Sequence, residues 1–218
     1  MNNEDSMLFS PEIPVALPDG LIRTIDLNAD IAVNFRIWPY SSQGEDYTLM
    51  LNGMPVGERK VITESEAGSD AMLTLTLPST ALTKDGPHSV GYMIIATPGG
   101  GTTLSPTAVI RVDRTAPAGP LLGPALFPNM DPTNLRGKIP AYVGMEVGDT
   151  VQTLCNDIQG PSYVIVAENL TTLPVEITFT REFLDSLQSD KVNITYHVTD
   201  RAGNQSVLAQ PVELTLHP

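Results

Sequence analysis

One cysteine, one tryptophan and three histidines in 218 residues leave little material for several kinds of chemistry. The single thiol, Cys155, cannot close an intrachain disulfide, and a multi-cysteine zinc site is excluded. The histidines, His88, His197 and His217, have no second His or Cys at ligand spacing. The pattern places His88 in a turn before a strand, His197 on the outward face of a strand and His217 at the end of the chain. Cationic side chains are scarce too. Twelve Lys and Arg against 25 Asp and Glu give a net charge of −13. That sign excludes sequence-independent nucleic-acid binding and adhesion to anionic lipid, both of which need a cationic surface. No apolar run approaches the ~20 residues of a membrane-spanning helix, so no membrane insertion is expected. Residues 1–10 are acidic and polar, without a basic or an apolar segment, and so form no N-terminal signal peptide. H-E-x-x-H, G-x-S-x-G and a phosphate-binding glycine loop are all missing; residues 99–101 are three glycines that open no helix. With no convergent acid, base and nucleophile, the expectation is a protein that is not an enzyme and carries no cofactor.

What is present is alternation. Hydrophobic residues make up 41% of the chain and charged ones 17%, the balance of a core-forming domain rather than a disordered segment. Ile31, Val33, Phe35 and Ile37 alternate with smaller or polar residues, as do Leu73, Leu75 and Leu77, and Val192, Ile194, Tyr196 and Val198. Such runs bury one face of an antiparallel sheet. Turn chemistry separates them at Pro18-Asp19-Gly20, Asn52-Gly53, Asp85-Gly86-Pro87 and Ala202-Gly203-Asn204. Nineteen prolines and 17 glycines, spread throughout, leave no room for long helices. Only residues 181–187 carry a helical pattern, with Phe183, Leu184 and Leu187 on one face. The fold class is all-β.

The chain also repeats itself. A shift of 102 residues lays 73–97 on 175–199 without a gap, Leu75 on Ile177, Leu77 on Phe179, Leu82 on Leu184, Val90 on Val192 and Ile94 on Tyr196. Upstream, a shift of 104 lays 44–54 on 148–158. Between the halves, residues 112–120 end a strand and turn proline-rich, a stiff spacer. About seven strands per ~100 residues is the arithmetic of an immunoglobulin-like sandwich. The expected organisation is an N-terminal extension (1–17) followed by two tandem immunoglobulin-like β-sandwich domains (18–116 and 117–218).

Three stretches carry a resemblance. ITYHVTDRAGNQS (194–206), VDRTAP (112–117) and YVGMEVGDTVQTLCND (142–157) are similar to the strand-end, junction and strand-start motifs of bacterial Ig-like repeats of the Big type. Those repeats belong to large adhesin-like surface and secreted proteins. The first half departs from the pattern at residues 97–101, and residues 1–17 match no repeat. The resemblance implies an extracellular or cell-surface location, a spacer, stalk or adhesive role, and a monomeric segment of a longer array.

Candidate sites are few. Trp38 falls out of phase with the run 31–37 and is expected to point outward, with Tyr40 beside it in a loop also holding Ser41, Ser42, Gln43 and Gly44. Exposed aromatics among adaptable polar residues suit a carbohydrate or protein partner; a cap on the domain's own core is the other reading of Trp38. Tyr142 and Val143 are the nearest counterparts in the second half. Asp113, Asp131, Asp149, Asp157 and Asp200 are loop or strand-end carboxylates. Calcium, which takes six to eight oxygens, is possible at Asp113 and Asp200, though no acids recur at EF-hand spacing. Otherwise Asp200 nucleates its turn and Asp113 pairs with Arg114 or solvent. Cys155, matching Leu51 in the repeat, is expected as a buried small hydrophobe. Asn169, Asn193 and Asn204 begin formal glycosylation sequons, ordinary in Thr- and Ser-rich strands. Three functions remain open: a structural or adhesive tandem module, a binding module acting through Trp38 and Tyr40, and accessory domains of a larger secreted enzyme.

Overall fold

In the computed structural model, which describes residues 8–128 and 134–216, every alternating run becomes a strand with its apolar members inward. The chain divides into two units, Met1–Arg114 and Thr115–Pro218. The first contains β1 (Leu21–Ile22), β2 (Ile31–Arg36), β3 (Asp46–Leu51), β4 (Met54–Val61), β5 (Met72–Leu77), β6 (Gly86–Ile95), β7 (Thr102–Leu104) and β8 (Ala108–Val112). One sheet runs β1-β8-β6-β3-β4, with β7 on β6; the other is β2-β5. The sheets meet through Phe35, whose ring stacks on Tyr92 at 3.9 Å and meets Tyr47 edge-on at 6.0 Å. Val33, Phe35, Leu75, Leu77, Val90 and Tyr92 are all buried, as their alternation requires.

The second unit contains β9 (Asn134–Ile139), β10 (Thr150–Cys155), β11 (Ile158–Val164), β12 (Val175–Thr180), α1 (Arg181–Ser186), β13 (Lys191–Thr199) and β14 (Val212–Thr215). Its sheets, β11-β10-β13-β14 and β9-β12, reproduce the order of the first unit's central strands. Ile177, Phe179, Val192, Ile194 and Tyr196 are buried between them. The one α-helix among the described residues lies where the pattern places it. Thr180 caps it, its Oγ1 accepting from the Phe183 amide at 3.3 Å, and Leu184 is its buried residue.

Strand pairing corrects the gapless repeat. Leu49 pairs with Tyr92 in the first unit and Thr153 with Tyr196 in the second, so β6 and β13 correspond at a shift of 104, not 102. Tyr92, not Ile94, is the counterpart of Tyr196. The shift of 102 holds for β5 and β12 and for Leu82 and Leu184. The physical reason is α1. A full helical turn follows β12 where the first unit has only a short 3-10 turn at Ser79–Ala81, and the extra residues restore the register.

Residues 8–17, expected as an extension outside the repeat, form part of the first unit. Leu8 is buried, and Glu12 exchanges backbone hydrogen bonds with Asn34 of β2 at 2.7 and 2.9 Å. In the second unit Leu126 exchanges the same pair of bonds with Lys138 of β9 at 2.9 and 2.8 Å. Asn34 and Lys138 occupy one position of the repeat, so Phe9 corresponds to Gly123. The Tyr196 hydroxyl donates to the Gly123 carbonyl at 2.6 Å, and the buried Tyr92 hydroxyl faces Phe9 without a formed bond. Each unit thus seats its first segment over the same core tyrosine. Burial pushes both phenols up to about 12.

Candidate functional site

Strand β2 ends at Arg36, and two side chains in succession, Ile37 and Trp38, then turn inward. Pro39 lacks an amide to continue the ladder, so the pleat that would have pointed Trp38 outward is lost. Trp38 is 6% exposed, a correction to the outward-facing expectation. Its ring meets Tyr47 edge-on at 5.9 Å, and its Nε1–H donates to Glu45 Oε2 at 2.8 Å. The same oxygen accepts from the Ser42 amide at 3.1 Å.

The second unit builds the same clamp from different residues. Tyr142, 104 positions after Trp38, donates its hydroxyl to Asp149 Oδ2 at 2.9 Å, and the Glu146 amide donates to that oxygen at 3.0 Å. The backbone repeats as well. Gly44 and Gly148 donate to Ile62 and Ile165, which in turn donate to the carbonyls of Glu45 and Asp149, at 2.8–2.9 Å. One carboxylate therefore grips an aromatic donor and a turn amide at the same end of each sandwich. Asp149 is 1% exposed, and its Oδ1 has no partner. Burial raises its pKa, with Asp200 and Glu146 adding negative charge. Burial, the bond to Asp149 and its charge likewise drive Tyr142 far above the ordinary phenol range.

Tyr40 is 86% exposed, and its backbone sits at φ 60°. The corresponding residue of the second unit is Gly144, at φ 74°. An aromatic thus stands in a left-handed position that costs an ordinary L-residue roughly 1–2 kcal/mol, where the other copy uses glycine. Beside it, Ser41 is buried, and its Oγ accepts from the Gly68 amide at 3.0 Å, tying this loop to the one after β4.

The remaining candidates are dispersed over the two units. Asp200 accepts from the Asn204 amide and from its Nδ2, each at 2.8 Å, and its carbonyl accepts from the Gly203 amide at 3.1 Å, so its side chain closes its own turn. Arg114 does not turn to Asp113; its guanidinium and amide go to Asp85, and Nη2 to the Leu82 carbonyl at 2.6 Å. Both Asp200 oxygens are engaged, and among the described residues no three of His, Cys, Asp and Glu are grouped to hold a metal ion. Asp131 and His217 lie outside the described residues. His88 lies within β6 rather than before it, and is buried. Its Nε2–H donates to the Lys84 carbonyl at 2.8 Å, which leaves Nδ1 to accept from Asn52 Nδ2 at 3.0 Å. His197 is half-buried; burial lowers its pKa, and its Nδ1 lacks a partner. Cys155 is fully buried, and burial pushes its thiol up to about 11, away from thiolate chemistry. No helix among the described residues is long and apolar enough to cross a membrane.

No family model matches the chain, and no curated sequence does. Solved structures do. One is that of host cell surface retention by a 1.5-MDa bacterial ice-binding adhesin, 16% identical, with a TM-score of 0.51 over 94% of this chain. Another is the Ca2+-stabilized adhesin with which an Antarctic bacterium reaches out and binds ice, also 16% identical, with a TM-score of 0.51 over 95%. The chain spans 63% and 48% of the lengths of those two. The likeness is one of fold, and with the sheet order above it makes this chain an all-β protein of immunoglobulin-like sandwich architecture.

Proposed function

We propose that the chain is a non-enzymatic module of an adhesin-type bacterial surface or secreted protein, with its sandwiches serving as repeated structural elements. The observation that supports this best is the twice-built clamp. Polar side chains there bond to one another and to turn amides, closing the end of each sandwich in the same way with different residues. The two adhesin structures of the same fold agree with it. The test is protease shaving of intact cells that make the protein. Peptides from this chain released without lysis support the reading, and their recovery only from the cytosol sinks it.

Tyr40 supports a second role, contact with a protein or carbohydrate partner. A strained, exposed aromatic where the repeat needs only glycine is a cost to the fold, and such costs gather at functional positions. Trp38 contributes by holding that loop from below rather than by touching the partner. Tyr40→Gly should leave the protein as stable or up to about 1 kcal/mol more so, while abolishing retention in a pull-down or on a glycan array. Unchanged retention would return Tyr40 to the background. Calcium has no part in this reading. Chelation should leave the melting temperature unmoved, and a shift of several degrees restored by calcium would make Asp113 and Asp200 ligands.

A further inference from the structure

Beneath the loop that follows β4 lies an open groove of about 380 Å³, near the lower bound of small-ligand sites, about 300–1,000 Å³. Lys60 and Val61 at the end of β4, Thr63 and Glu66 in the loop, and Met72 and Thr74 on β5 surround it, with Tyr47 among the lining residues. Lys60 Nζ donates to the Thr74 carbonyl at 2.9 Å, which leaves two of its three N–H groups for other acceptors. Glu66 Oε2 accepts from the Thr63 amide at 2.9 Å and from its hydroxyl at 2.7 Å, and Oε1 carries no such bond. Met72 and Val61 are more than half exposed and supply an apolar rim.

The second unit shows how much of this the fold needs. There Val166 and Asn169 stand 103 positions after Thr63 and Glu66, and Asn169 Oδ1 accepts from the Val166 amide at 2.9 Å. A neutral amide closes the same turn, so the charge and free oxygen of Glu66 are surplus to it. Tyr47 likewise corresponds to Val151, and Thr63 to Val166, apolar residues in the other copy. The polar lining is therefore particular to the first unit.

The shape and chemistry limit the occupant. An added β-strand is disfavoured because Lys60 already occupies the Thr74 carbonyl on the free edge of β5, a charged guard of the kind that blocks edge pairing. One ammonium and one carboxylate leave the groove without net charge, and a chain of charge −13 repels anions. What remains is a neutral ligand with closely spaced donors and acceptors and one C–H face. We propose that this groove binds a single neutral sugar residue, its vicinal hydroxyls shared between Lys60 Nζ and Glu66 Oε1 and its apolar face on Met72 and Val61.

The test is a titration of the isotope-labelled full chain with methyl glycosides of glucose, galactose, mannose and fucose, and separately with glycine and inorganic phosphate. Saturable shifts of the Thr63, Glu66 and Thr74 amides with at least one glycoside are expected. Glu66→Gln, which retains an oxygen for the turn as Asn169 does, and Lys60→Met should each weaken binding at least tenfold, about 1.4 kcal/mol, in proteins that melt normally. Tyr40→Gly should leave this binding intact, which separates the groove from the Tyr40 contact. The proposal is overturned if no glycoside shifts these amides, if glycine or phosphate does so in their place, or if a folded Glu66→Gln binds like the parent.

Discussion

Two carboxylates, Glu45 and Asp149, hold the same place in the two units, but only the second is almost wholly withdrawn from water. Asp149 keeps one oxygen bonded to Tyr142 and the Glu146 amide and leaves the other buried without a partner. Its raised pKa follows from that burial first and from Asp200 and Glu146 after it. A carboxyl whose pKa is higher folded than unfolded takes up a proton on folding. Its stabilising contribution is then complete below the unfolded value, about 3.9, and is lost as pH rises through the folded value. The urea midpoint of the parent chain, compared with that of Asp149→Asn, should therefore fall as the pH is raised above about 4. A difference that stays flat or rises with pH would show that the charge is solvated after all. Sequence periodicity could not reveal the clamp, because it treats Trp38 as the next residue of a pleat that has already ended at Arg36. The signal was in the repeat: the 104-residue shift already placed Gly44-Glu45 on Gly148-Asp149, and carrying it back to Trp38 reaches Tyr142.

Hairpins show how a repeat can preserve a device while changing its surroundings. Asn52 and Asn156 both adopt left-handed backbone, φ 52° and 50°, in the turns after β3 and β10. Each then extends the sheet with its side chain. Asn52 Oδ1 accepts from the Ser89 amide at 2.9 Å, and Asn156 Oδ1 from the Asn193 amide at 2.8 Å. The Nδ2 groups differ. Asn156 donates to the Lys191 carbonyl, whereas Asn52 donates to Nδ1 of the buried His88, which stands where the second unit has Val192. Glycine tolerates the backbone conformation, so replacing each Asn by Gly removes the side-chain bonds alone. Asn156→Gly should cost about 1 kcal/mol, and Asn52→Gly about 2–3 because it also strands a buried imidazole nitrogen. Chemical denaturation of the two variants checks the order, and equal losses would mean that His88 finds another donor. The turn itself was legible as Asn-Gly between apolar runs. The His88 partnership was not, since nothing in a linear pattern brings residue 88 to residue 52.

At the scale of the molecule, the two-sheet architecture could be read almost directly from period-two runs and turn residues, and the helix from its two-turn pattern. The start of the first sandwich could not. Residues 8–13 and 122–127 correspond at a shift of 114, ten residues away from the shift that aligns β2 with β9, so a search at constant offset passes over them. Their side chains are also unlike: Phe9 stands opposite Gly123, and Glu12 opposite Leu126. Only the paired backbone bonds to Asn34 and Lys138 make them equivalent. A chain beginning at residue 18 would lose the burial of Leu8, both bonds between Glu12 and Asn34, and the Phe9 ring beneath Arg36. One buried leucine and two backbone bonds amount to about 2–4 kcal/mol. For a domain of ~100 residues, each 1 kcal/mol moves the melting temperature by roughly 4–8 °C. The chain 18–218 should therefore melt at least ~8 °C below the chain 8–218 in the transition that belongs to the first unit. A truncated chain that melts with its parent would place residues 8–17 outside the fold and leave Tyr92 covered by something else.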